Sequence, residues 1–174
     1  MFLAKLKRKS IQKKFKKSHE ESLSETRNMD ASKIRTVGIL IEESQFLAFN
    51  VLRAVENDFK IPKENLRFLV YKNFEKEQEY TDYECTFKDF GWYGSLKLNK
   101  LKEFVKNEYD LLINYGFEEN LYLNVITLQS KSKFKVGFAA AETSLYDLAI
   151  SDNERRIEVL NTEMVKYLKL LNKL

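Results

Sequence analysis

The chain alternates between short, unbroken apolar runs and longer segments whose apolar residues recur every three or four positions. TVGILIE (36–42) is a continuous apolar run, the pattern of a strand covered on both faces. LRFLVYK (66–72), YDLLINYG (109–116), FKVGFA (134–139) and YDLAIS (146–151) predict further strands. YECTFKDF (83–90) alternates more and predicts an edge strand. After the first run, Ser44 offers a cap for one helix with Phe46, Leu47, Val51, Leu52 and Val55 at core-facing spacing. The single proline, Pro62, sits in the loop KIPKEN. LKLNKLKEFVKNE (96–108) predicts a helix that turns Leu98, Leu101, Phe104 and Val105 inward. NLYLNVITLQS (120–130) is β-branched in places, but its position between two strands and a capping Asn120 favour a helix. Ser151 and Glu154 have the S-x-x-E spacing of a capping box. The closing helix carries Ile157, Leu160, Met164, Tyr167, Leu168 and Leu171 at helical spacing.

The order β-α-β-β-α-β-α-β-β-α predicts an α/β fold. It is a three-layer, mostly parallel sheet, Rossmann-like and doubly wound, preceded by a basic N-terminal helix or arm. The expected boundaries are residues 1–33 for the basic arm and polar linker and 34–174 for the α/β domain. Leu40, Leu112 and Val136 are expected in its core.

Charge changes the picture at one end only. Of 30 lysines and arginines, eight fall in residues 1–17, where there is no acid; the other 22 face all 26 acidic residues. The body is therefore mildly acidic, and the basic character belongs to the opening segment. With one cysteine (Cys85) and one histidine (His19), an intramolecular disulfide is excluded and a zinc site of four such ligands is not expected. No apolar run approaches the roughly 20 residues that span a bilayer. Lys or Arg interrupts every stretch near the start, so no secretory h-region is expected and a cytoplasmic setting is.

Candidate chemistry is sparse. The turn after the first strand reads IEESQF, without the glycines of a dinucleotide or P-loop site. Glu42 and Glu43 put negative charge where a phosphate would otherwise meet a helix N-terminus. They offer a Mg²⁺ pair or an acid/base pair, but a favourable interaction with the helix dipole is the plainer account. Cys85 has no histidine near it in sequence and reads as a packing residue. DFGWYG (89–94) holds the only tryptophan; a turn in which Trp92 plugs the sheet edge is favoured over an exposed aromatic contact loop. The loops after the strands should converge on one edge, where open α/β sheets bind ligands. Glu42, Glu43, Asn114 and Tyr115 are the candidate pocket residues there. No cofactor and no metal are expected, and no catalytic residue is assigned.

DFGWYG, YDLLINYG, KFKVGFA and YDLAIS, in this order before a final helix ending KYLKLLNKL, resemble a family of uncharacterised bacterial proteins, a domain of unknown function met in Bacteroidota. The likeness covers most of the chain, including the basic start. It implies the fold and a bacterial cytoplasmic setting, and carries over no catalytic residue.

The opening segment, MFLAKLKRKSIQKKFKK, has lysine on all sides when placed at 100° per residue. Phe2, Leu3 and Leu6 share one side, while Ile11 and Phe15 fall on another, so no membrane-binding stripe forms. The leading expectation is a nucleic-acid arm for RNA, on a non-enzymatic, ribosome-associated accessory protein. Lys5, Lys7, Arg8, Lys9, Lys13, Lys14, Lys16 and Lys17 would meet phosphates. The alternatives are an adaptor that attaches to an anionic membrane surface or a membrane protein, a solvated tail, and a small-molecule-binding or enzymatic domain using the crevice. Because the arm shows no patterned core face, the domain is expected to fold without it.

Overall fold

A computed structural model describes residues 2–23, 32–48, 50–116, 120–139, 143–154 and 156–174. A long helix, α1 (Phe2–Leu23), precedes the first strand, β1 (Val37–Glu42). There follow α2 (Glu43–Ala48), α3 (Val51–Phe59), β2 (Leu66–Tyr71), β3 (Glu84–Cys85), α4 (Asn99–Lys106), β4 (Leu111–Asn114), α5 (Leu121–Gln129), β5 (Lys135–Phe138), β6 (Leu148–Ile150) and α6 (Ile157–Leu170). The six strands form one sheet in the order β3-β2-β1-β4-β5-β6, and every pair is parallel. The expected three-layer α/β fold is the observed one. Its order reverses beside β1, so the topological switch lies between β1 and β4.

Alternation along β1 feeds both faces. Val37, Ile39 and Ile41 pack with Val51, Val55 and Phe59 of α3 and with Ile157, Leu160, Met164 and Leu168 of α6. Leu40, one step out of phase, packs with α4, α5 and α1 on the other face. Leu40, Leu112 and Val136 are fully buried, as expected. Gly38 lies where a Cβ would come within 2.8 Å of the Tyr109 ring, so a larger residue there would displace that ring.

Several local readings are corrected. The segment after β1 is two helices, because the Asn50 side chain accepts from Arg53 N and starts α3 afresh. Leu47, expected in the core, ends up 78% exposed, and Ser44 lies inside α2 rather than capping it. The 83–90 segment pairs over only two residues. The Thr86 and Asp89 side chains then form a capping box that turns the backbone into a 3₁₀ turn. The Ser151/Glu154 box does not form. Asp152 instead accepts from Arg156 N (2.7 Å) and from its guanidinium, and α6 begins at Ile157. Asn120 caps α5 as expected, accepting from Tyr122 N and Leu123 N.

The largest correction concerns α1, which has a core face after all. Ile11 is fully buried and Phe15 nearly so, in one cluster with Leu101, Phe104 and Val125. His19, four residues on, stacks on Phe15 at 5.7 Å. Of the polar stretch 18–33 expected as a linker or frayed helix end, 18–23 continue α1, while 24–31, like 117–119 and 140–142 in the loops after β4 and β5, lie outside the described residues.

Candidate functional site

The i, i+4, i+8 spacing of Ile11, Phe15 and His19 fixes which way α1 faces. Residues two positions before each of these stand about 200° round the helix. These are Lys9, Lys13 and Lys17, all exposed, and Lys5 extends the same four-residue series. Lys14 and Lys16 are exposed beside them. Lys17 meets Glu21 at 3.9 Å. Among the described residues, no carboxylate lies within ion-pair distance of Lys5, Lys9, Lys13, Lys14 or Lys16.

This ridge is not built for the stability of its own helix. The first turn of α1 holds no acid and the last turn no base, the reverse of what the helix dipole favours. Like charges four residues apart also repel, by a few tenths of a kcal/mol per pair.

The remaining two basic residues, Lys7 and Arg8, reach across to neighbouring elements. The Lys7 ammonium donates to the carbonyls of Phe87 (3.2 Å) and Phe90 (2.9 Å). Its pKa is lowered from the usual 10.5, first by burial and then by nearby Lys97. The Arg8 guanidinium stands 5.9 Å over the Tyr122 ring.

Arg8 also lines a crevice of about 450 Å³ at the carboxyl ends of β1 and β2, beside the switch point. Glu42, Glu43, Tyr71, Asn73, Asn120 and Tyr122 form much of its wall. Both glutamates are engaged. Glu42 Oε1 accepts from Asn120 Nδ2 at 3.2 Å. Glu43 meets the Lys72 ammonium at 2.8 Å, and Lys72 meets Glu84 at 3.2 Å. The Glu43 hydrogen bond, more than the opposing burial, holds the Lys72 pKa above its usual value. Carboxylates on this wall oppose a phosphate, while Arg8 gives it a cation, so the wall suits a polar molecule carrying both donors and acceptors.

Asn114 and Tyr115 sit beneath this edge and are buried. Asn114 Nδ2 donates to Thr127 Oγ1 (3.2 Å) and to the Tyr146 hydroxyl (2.9 Å). The Tyr115 hydroxyl donates to Asn161 Oδ1 at 2.6 Å, and burial raises its pKa. Sequence grouped these two with Glu42 and Glu43, but they brace the sheet and do not line the crevice. Cys85 is buried, which pushes its thiol up to about 12, opposite to a nucleophile's needs. His19 Nε2 lies 2.9 Å from Ser144 Oγ. Among the described residues, no three His, Cys, Asp or Glu side chains gather as metal ligands.

The aromatic turn departs from expectation. Trp92 is 48% exposed and Tyr93 68% exposed, while Phe90 carries the buried role. Gly91 N donates to Ser95 O (2.7 Å), and Phe90 bridges Leu96, closing a tight turn that points the next two rings outward. Tryptophan's usual burial favours the opposite placement. The flanking lysines in KDFGWYGSLK, Lys88 and Lys97, were the signal for a contact surface.

Residues 7–171 match the model of a family of unknown function (DUF6913), and the chain belongs to that family. The match takes in α1 from Lys7 onward together with the whole sheet and α6. No curated protein and no solved structure matches the chain.

Proposed function

We propose that this protein is a non-enzymatic RNA-binding accessory protein of the cytoplasm, associated with the ribosome, which holds RNA phosphates along the exposed ridge of α1. The observation that carries the reading is a helix docked by Ile11 and Phe15 whose outward lysines, Lys17 apart, lack acidic partners among the described residues. Charge arranged against the helix's own dipole is favourable once phosphates cover it. The docking makes the ridge a fixed surface, so little conformational freedom is lost on binding. The mildly acidic body discourages RNA from spreading over the rest of the molecule.

The test is affinity purification of the intact protein from its native cell, washed at low and at high salt. RNA and ribosomal proteins should elute together and be lost at high salt. Recovery of membrane proteins with no RNA contradicts the reading.

One observation favours a second reading, attachment to an anionic membrane surface. Phe2 and Leu3 are 73% and 70% exposed in the first turn of α1, next to Lys5. They would insert while the lysines meet headgroups. Flotation with vesicles containing phosphatidylserine tests it. Loss of flotation on changing Phe2 and Leu3 to Ser, with RNA binding absent, would favour the membrane.

A further inference from the structure

The basic helix and the aromatic turn are one rigid assembly. Lys7 clamps the turn through the Phe87 and Phe90 carbonyls. Ser10 Oγ, one helical turn further along α1, accepts from Tyr93 N at 3.3 Å. From the other side, Gln129 Nε2 of α5 donates to the Gly94 carbonyl at 3.0 Å. Tyr93 has φ 58°, a left-handed conformation that a bulky residue rarely adopts. Strain of this kind persists only where the surroundings enforce it, and here it turns an aromatic ring toward solvent. Glycine would satisfy the backbone more easily, so the ring is the reason for the tyrosine.

Lysines flank the turn that carries the two exposed rings, and one of them shares a groove with Tyr93. Lys97 follows the turn and lies close enough to Lys7 to depress its pKa. Lys88 precedes it and covers the Phe74 ring at 3.4 Å. Lys14 of α1 lines a groove with Tyr93, beside Ser18 and Gln129. Outward aromatic faces set among lysines fit one occupant, a single-stranded nucleic acid whose phosphates follow the cations while its bases stack on the rings. A duplex has its bases stacked away and meets only the charges.

We infer that Trp92 and Tyr93 form a base-stacking platform beside the α1 ridge, so that the protein takes single-stranded RNA in preference to duplex. This rests on the reading of α1 as an RNA-binding ridge and adds to it the form of the RNA and the residues that select it.

The test uses the full chain, an oligouridine of about 12 nucleotides and a duplex of the same length. Trp92 is the only tryptophan, so its fluorescence reports stacking directly. Single strands should quench it and the duplex should not. Tyr93→Gly, which removes the ring and relieves the backbone, should weaken single-strand binding about fivefold or more and leave duplex binding and the salt dependence unchanged. Tyr93→Phe should restore single-strand affinity. If both RNAs bind equally, without quenching and without an effect of Tyr93→Gly, the platform is overturned while the ridge stands. If neither RNA binds at low salt, both fall. A blue shift of Trp92 emission on adding phosphatidylserine vesicles, with no response to RNA, also overturns it.

Discussion

The Lys7 ammonium crosses from the basic helix to the carbonyl of Phe90, 2.9 Å away, at the root of the turn that exposes Trp92 and Tyr93. This bond joins the basic opening helix to an exposed aromatic pair. It also makes α1 part of the folded body, held by Ile11 and Phe15 from beneath and by Lys7 at its side.

Ile11→Ala should therefore destabilise the whole protein by about 2–5 kcal/mol, the usual loss for emptying a buried aliphatic site. Chemical denaturation followed by circular dichroism measures it. A detached helix would give no measurable change in midpoint.

Leu112→Ala tests the sheet itself. Leu112 is fully buried on central strand β4, facing the layer that holds α1, α4 and α5. A loss of about 2–5 kcal/mol is expected by the same denaturation measurement. A change below about 0.5 kcal/mol, typical of surface sites, would place the residue outside the core.

Much of this architecture was legible in the chain, because buried parallel strands leave unbroken apolar runs that need no context. Residues 36–42, 66–72, 109–116 and 134–139 all contain central strands. Asn120 was legible as a cap because it stands directly before an apolar segment. The core face of α1 was not, since two apolar residues and one histidine among many lysines make a weak stripe. Only the surface offered by α5 and the aromatic turn turns Ile11 and Phe15 into core. Tyr93 was not legible as an exposed ring, because its positive φ is set by contacts with Ser10 and by the turn closing at Gly94. The crevice was found by its position at the sheet edge. Asn114 and Tyr115 were grouped with it because strand ends do not reveal which side chains turn under the sheet.

Stability in acid should depend on Asp110, at the sheet edge opposite the crevice. Its carboxylate accepts from Arg35 N, Thr36 N, Thr36 Oγ1 and the Lys133 ammonium, at 2.9–3.1 Å. Burial alone would raise its pKa, but Lys133 and the hydrogen bonds outweigh burial and lower it from 3.8. A carboxylate with a depressed folded value stabilises fully above its unfolded value, and that stability is lost as pH falls through the folded one. Asp110→Asn should therefore be less stable than the parent at neutral pH, with the gap narrowing below 3.8. Urea titrations across this range check it; a gap independent of pH would remove the ionised form from the account.

The central claim is that the exposed lysines of α1 bind RNA phosphates. The most direct measurement is the affinity of the intact protein for single-stranded RNA as salt rises from about 50 to about 200 mM, with and without Lys9, Lys13, Lys16 and Lys17 changed to Gln. These side chains are exposed, so the substitutions should leave the fold intact. The account predicts that the parent loses about tenfold or more in affinity across that range. It predicts that the substituted protein binds more weakly at low salt with a distinctly shallower slope. Equal affinities and equal slopes for the two proteins would contradict it.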